Sequence, residues 1–171
     1  MPIDWRVQAL HRDHDRAAFG CGEPALDQYL SQYARQNHES GVARTFVAVR
    51  ATEPALILGY YSLAAGSIPR ADLPALDIRR LRFPNFPLPI ARLARLAVDR
   101  SQQGNGIGAG LLYDALARCL HVAEDLGIAA LIIDAKDEKA KAFYSRYEFV
   151  ALPDQPLTLW LPLPALRKLL A

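Results

Sequence analysis

The sequence predicts an α/β (α+β) sandwich whose central sheet is mixed and mostly antiparallel, with helices packed on it. Three observations predict this class. Residues 90–134 read as strand, loop, helix and strand, a crossover whose two strands must run parallel. Residues 45–50 (TFVAVR) and 56–68 (LILGYYSLAAGSI) are β-type runs with no helix between them. Residues 149–163 read as a hairpin around Asp154-Gln155. Strands, one crossover and a closing hairpin do not make a doubly wound sheet. At 171 residues the expected organisation is a single domain, 1–171.

The elements follow in order. Residues 4–10 (DWRVQAL) resemble a strand, and Gly20-Cys21-Gly22 marks a turn. Residues 24–37 have helical periodicity, with Pro24 suited to the first turn and Leu26, Tyr29, Leu30 and Tyr33 on one face. Residues 69–89, rich in proline and arginine, are expected to be a loop or short helical piece. IARLARLAV (90–98) is a strand and residues 107–127 a helix. Its apolar stripe runs from Ile107 to Leu126, and Gly127 ends it. IAALIID (128–134) is apolar almost throughout, as a strand covered on both faces should be. Residues 137–147 form a short helix with Asp137 as N-cap, and residues 164–170 a final helical turn.

Composition narrows the function. No long uncharged apolar run is present, so no membrane helix is expected. The N-terminus (MPIDWRVQALHRDHD) lacks an apolar signal region. Cys21 and Cys119 have neither metal-ligand spacing nor a paired context, which fits buried thiols in a reducing cytoplasm. His11, His14, His38 and His121 are scattered, so surface roles and no metal site are expected. Net charge is only +2, but six arginines and one acid lie between Arg79 and Arg100. That segment carries +5 and leaves −3 for the rest. Arginine's planar fork suits phosphate, so an anionic partner is expected there.

Gly104, Gly106, Gly108 and Gly110 fall at every second position where the long helix begins. A glycine turn at a helix N-terminus offers free N–H groups and a positive dipole end, which makes an anion site. A P-loop would need Lys and Ser/Thr where Ala109 and Gly110 stand. A dinucleotide fingerprint, Gly104-x-Gly106-x-x-Ala109, is formally present. However, five residues separate Val98 from Gly104, Glu124 sits inside the helix, and Asp134 is too far on. Coenzyme A is the third class.

The spacing Gln103-x-x-Gly106-x-Gly108 after Val98-Asp99 resembles the acetyl-CoA pyrophosphate loop of the GNAT N-acetyltransferases. Phe143-Tyr144 on the next short helix and the order of elements extend the resemblance over nearly the whole chain. It implies the GNAT fold, with strands at about 90–98 and 128–134 forming a parallel, splayed pair. It implies acetyl-CoA as cofactor, bound by Leu96, Ala97 and Val98 along the pantetheine arm. Gln103, Gly104, Asn105, Gly106, Ile107, Gly108 and Ala109 would hold the pyrophosphate, with Phe143 beside the cofactor. Tyr144 matches the family's catalytic tyrosine, with Tyr147 as the fallback. A thiol with pKa about 8.5 leaves more readily when a hydroxyl stands near to protonate it.

Further stretches resemble the acetyltransferase toxins of type II toxin–antitoxin modules. They are Phe19-x-Cys21-Gly22, Arg44-Thr45-Phe46-Val47, Gly59-Tyr60-Tyr61-Ser62-Leu63, Arg92 to Asp99, and Asp134-Ala135-x-Asp137 with Ala142-Phe143-Tyr144. One departure is Glu148, where the family commonly has glycine. The resemblance implies acetylation of the α-amine of aminoacyl-tRNA, which blocks translation in the cytoplasm. It implies a ribbon-helix-helix antitoxin, contact with operator DNA only through that antitoxin, and no membrane; a homodimer is common in such toxins. Arg79, Arg80, Arg82, Arg92 and Arg95 are then candidates for tRNA binding, and Asp99 and Glu39 for a general base. Two alternatives stay open: acetylation of a small-molecule or protein amine, and a non-catalytic CoA-binding or interaction module.

Overall fold

A computed structural model describes residues 4–171. The strands are β1 (Trp5–Ala9), β2 (Arg44–Arg50), β3 (Gly59–Ile68), β4 (Leu88–Val98), β5 (Ala130–Asp134), β6 (Val150–Leu152) and β7 (Gln155–Pro162). The helices are α1 (Pro24–Gln28), α2 (Ala34–Ser40), α3 (Ala75–Leu81), α4 (Ile107–Val122), α5 (Glu138–Ser145) and α6 (Leu163–Leu170). The sheet has seven strands in the order β1-β2-β3-β4-β5-β7-β6. β4 and β5 are parallel, whereas β1–β2, β2–β3, β5–β7 and β6–β7 are antiparallel. The mixed class and its single crossover are therefore as the sequence implied. The parallel register runs from Ile90↔Ala130 to Leu93↔Ile133, and β4 continues to Val98.

The chain divides into two compact units. The first holds residues up to Ala64 together with Arg95–Ala115; the second holds Ala65–Ala94 and Leu116–Ala171.

In the first unit, Phe19, Tyr29, Leu30, Val47, Val49 and Tyr60 build the core. Its polar groups are satisfied. Thr45 and Ser62 lie opposite each other in the β2–β3 register, and their buried hydroxyls bond at 2.7 Å. The Tyr60 hydroxyl donates to the Leu26 carbonyl at 2.7 Å. Between α1 and α2 the backbone widens into a π-turn, Tyr29–Tyr33, closed by the Ala34 N–H on the Tyr29 carbonyl. The extra residue shifts the helical phase. Ala34 is consequently buried, and Tyr33, expected on the inward face, is 51% exposed. His14 also departs from its expected surface role and is buried. Its Nδ1 accepts from the His11 backbone N–H at 2.9 Å. The neutral ring therefore carries its proton on Nε2, 2.7 Å from the Gln8 side-chain amide, whose oxygen is the acceptor that fits.

In the second unit, Ile68, Leu73, Leu88, Ile90, Ile132, Leu152 and Trp160 share a core. Ala130, Leu131, Ile132 and Ile133 of β5 are all buried, which accounts for the uninterrupted apolar run. The indole N–H of Trp160 donates to Asp77 Oδ2 at 2.9 Å and ties α3 to β7. The segment expected as a loop or short helical piece is thus α3 with proline-rich flanks.

Helix α4 ends at Val122, five residues before Gly127. Hydrogen-bonded turns follow, including the Leu126 N–H on the Val122 carbonyl. Glu124 and Asp125 stand where the negative end of the helix dipole disfavours acids. Leu126, placed on the apolar stripe from sequence, is 59% exposed.

Candidate active site

The loop between β4 and α4 belongs to the first unit. It opens at Asp99, whose carboxylate accepts from the Gly20 N–H at 3.0 Å, the Ser101 N–H at 3.0 Å and the Ser101 hydroxyl at 2.8 Å. A single 3-10 turn, Arg100–Gln102, follows, and Arg50 donates to Gln102 Oε1 at 2.9 Å. The exposed Gln103 side chain then folds back onto the chain. Its Nε2 donates to the carbonyls of Cys21 and Val98, both at 3.0 Å. The side chain is therefore a brace for the loop, and anion contact from this residue falls to its backbone. The Val98 carbonyl is likewise engaged by that brace.

Gly104 and Gly106 take φ of +84° and +82°, the left-handed region where a Cβ is strained. A Cβ at either would meet nothing within 4 Å, so conformation and not crowding requires glycine here. The consequence is a turn with open space before it, directly ahead of the 16-residue helix α4. Those amides and the helix dipole fit a diphosphate. Gly110 has another cause. A Cβ there would drive into the Trp5 ring of β1, so close packing explains it. Gly59 is similar, since its Cβ would lie 2.9 Å from the Ala97 carbonyl oxygen.

The Phe143-Tyr144 helix lies in the second unit. Asp137 caps α5 by accepting from the Ala140 N–H at 2.8 Å, as its sequence position suggested. Phe143 meets Tyr144 edge to face with centroids 5.2 Å apart, and the Phe149 ring lies 6.4 Å from Tyr144. Tyr144 is buried, and burial pushes its phenol pKa well up, so the group is protonated at neutral pH. Tyr147 is half-buried beside Phe143. After the helix, Glu148 has φ of +69°, the left-handed region in which glycine is less strained than glutamate.

Neither expected base is poised to accept a proton. Burial works to raise the Asp99 pKa, but the hydrogen bonds from Gly20 and Ser101 outweigh it and hold the carboxyl below its ordinary range. Glu39 is lowered by its hydrogen bond and ion pair with Arg35, at 2.9 Å, on an exposed face. Both carboxylates are acceptors already in use.

The arginines are not equivalent. Arg92 pairs with Asp134 at 2.6 Å, and the Arg95 guanidinium lies 3.6 Å over the Tyr29 ring. Arg79 and Arg80 are exposed on the last turn of α3, with exposed Arg82 at its C-cap. Among the described residues, no group of three His, Cys, Asp or Glu side chains could hold a metal ion, and no helix is long and apolar enough to cross a membrane.

A glycine turn with positive φ at the head of the crossover helix in a mixed sheet accompanies a match of residues 79–160 to the Acetyltransferase (GNAT) domain. The chain is 41% identical over 156 residues to a tRNA-acetylating toxin of Mycobacterium tuberculosis (strain ATCC 25618 / H37Rv), covering 91% of this chain and 90% of that protein. Among solved structures it is similar to AtaT complexed with acetyl-methionyl-tRNAfMet, with TM-score 0.89, 31% identity, and coverage of 98% of this chain and 100% of that one. It is also similar to a mutant AtaT toxin bound to the C-terminus of the antitoxin AtaR and to acetyl-CoA, with TM-score 0.84, 29% identity and 99% coverage of both chains. The chain belongs to the GNAT acetyltransferases, in the same family as these tRNA-acetylating toxins.

Proposed function

We propose that this protein is an acetyl-CoA-dependent N-acetyltransferase acting as a toxin, which acetylates the α-amine of the amino acid on charged tRNA and so blocks translation. The observation that carries this reading is the identity to a tRNA-acetylating toxin across nine-tenths of both chains. The loop supports it: glycines at positive φ ahead of α4, with open space where side chains would stand, suit a backbone cradle for the diphosphate of coenzyme A. When bound, acetyl-CoA supplies an acetyl thioester that an amine can attack and a thiolate that can leave.

The chain's residues have distinct tasks in this reading. Gly104 to Ala109 receive the diphosphate on backbone N–H groups, and Gln103 braces that turn. Leu96, Ala97 and Val98 carry the backbone groups for the pantetheine arm, with Phe143 beside the cofactor. Tyr144 holds a proton at its phenolic oxygen for the departing sulfur, because burial keeps it from ionising. An acceptor α-amine, with pKa about 7.7–8.0, has a useful neutral fraction near pH 7. That agrees with Asp99 and Glu39 being held as acidic, engaged carboxylates. A lysine side chain, at about 10.4, would need a stronger base.

The partner fitting this role is a ribbon-helix-helix antitoxin, through which operator DNA is reached. The test is incubation with labelled acetyl-CoA and total charged tRNA. Label is expected on the α-amine, and Tyr144→Phe is expected to lower kcat by about 100-fold or more while acetyl-CoA still binds. Full turnover in Tyr144→Phe would remove the residue from the chemistry. Label on a free small amine or a protein, with charged tRNA unmodified, would replace the substrate.

A further inference from the structure

The second unit carries a feature that the acetyl-transfer reading leaves unused. Phe86 is 59% exposed on the segment joining α3 to β4. Three residues earlier, Phe83 is held against the fully buried Trp160, edge to face with centroids 6.0 Å apart. The segment is therefore anchored at Phe83, while Pro84 and Pro87 flank Phe86 and restrict its backbone. A large aromatic ring presented to water on a stiffened segment costs little entropy when a ligand settles on it.

The charges along this segment of the chain have one sign. Arg79, Arg80 and Arg82 are exposed at the end of α3, and residues 78–98 contain no acid. The nearest acid before them, Asp77, is occupied by the Trp160 indole. Arg82 is held with φ of 53°, where glycine would be less strained, so a guanidinium stands at a position that backbone geometry does not favour. An aromatic platform next to clustered arginines is the arrangement that binds single-stranded nucleic acid, by stacking on a base and pairing with its phosphates. A protein partner would be expected to meet a broader apolar surface with polar complements.

We propose that Phe86 stacks on an unpaired nucleotide at the aminoacylated end of the tRNA, with Arg79, Arg80 and Arg82 holding adjoining phosphates. This rests on the reading that charged tRNA is the substrate. Stacking is sequence-tolerant, since every base has a π-face, so Phe86 would recognise an unpaired end in any charged tRNA.

The experiment measures steady-state acetylation of charged tRNA by the full-length protein and its Phe86→Ala, Phe86→Leu and Phe86→Trp variants. Acetyl-CoA affinity and thermal melting are measured alongside. Phe86→Ala and Phe86→Leu are expected to raise KM for charged tRNA about tenfold, with Phe86→Trp near the parent. Acetyl-CoA affinity and melting should not move, since Phe86 is exposed. The triple variant Arg79→Ala/Arg80→Ala/Arg82→Ala should flatten the salt dependence of KM. An unchanged KM in Phe86→Ala overturns the proposal, and so does a Phe86→Leu variant equal to the parent, because apolar contact without stacking would then suffice. Loss of antitoxin binding with tRNA use intact would assign the face to a protein and also overturn it. A parent protein that leaves charged tRNA unmodified defeats the underlying substrate reading instead.

Discussion

Glu148 occupies the left-handed region at φ of +69°, with its N–H on the Ser145 carbonyl at 3.3 Å. A side chain there crowds its own backbone, and glycine would relieve the strain while adding freedom to the unfolded chain. Glu148→Gly is expected to stabilise the protein by about 1 kcal/mol, read as a higher urea midpoint with unchanged slope. His14 behaves differently. Burial is the main cause that lowers its pKa below the ordinary 6.5, and the charge of His11 adds to it. A ring kept neutral by the fold contributes its full stability above the unfolded pKa. That contribution is lost as pH falls from about 6.5 through the lower folded value. Protonation would also place a proton on Nδ1, which now accepts from the His11 N–H. His14→Gln is expected to be less stable than the parent at pH 8, and the gap should narrow on acidification. A gap that widens in acid would contradict this account.

Elements show where sequence signals suffice and where packing decides. The Asp137 cap of α5 was legible, because a capping side chain acts within three residues of its own position. The tight turn of the glycines before α4 was legible for the same local reason. The bracing contact of Gln103 was not, since its partner Cys21 is 82 residues away in sequence. The π-turn at Tyr29–Tyr33 escaped notice because helical periodicity assumes an unbroken phase. The apolar spacing continues to Leu126, past the actual end of α4 at Val122, so spacing alone places that end too late. The two kinds of glycine in this element can be separated by experiment. Gly106→Ala should cost about 1 kcal/mol through its positive φ and weaken acetyl-CoA binding. Gly110→Ala, which drives a methyl into Trp5, should cost about 1–3 kcal/mol through overpacking. Equal melting temperatures for Gly110→Ala and the parent would refute the packing role.

At the scale of the whole molecule, the parallel pair and the closing hairpin followed from the sequence, because a crossover helix joining two strands of one sheet makes them parallel; the spatial order of the seven strands depends on pairings between distant segments and was not legible. The charge asymmetry was equally legible, but not its division of labour. Arg92 and Arg95 each have a partner within the fold, whereas Arg79, Arg80 and Arg82 are exposed. Such pairing depends on Asp134 and Tyr29, which no local window contains. The two cysteines are unlike in the same way. Cys119 is buried in α4, and burial pushes its thiol up to about 12. Cys21 is only half-buried, and its own carbonyl receives the Gln103 brace. A bulky thiol reagent is therefore expected to label one cysteine per native chain and two in denaturant, as mass spectrometry would count. Fast labelling of Cys119 in the native protein would contradict its burial. The molecule thus carries its own attachment point for a fluorophore, on the residue whose backbone anchors the glycine turn, where a change in emission would follow the turn's occupancy without any engineered substitution.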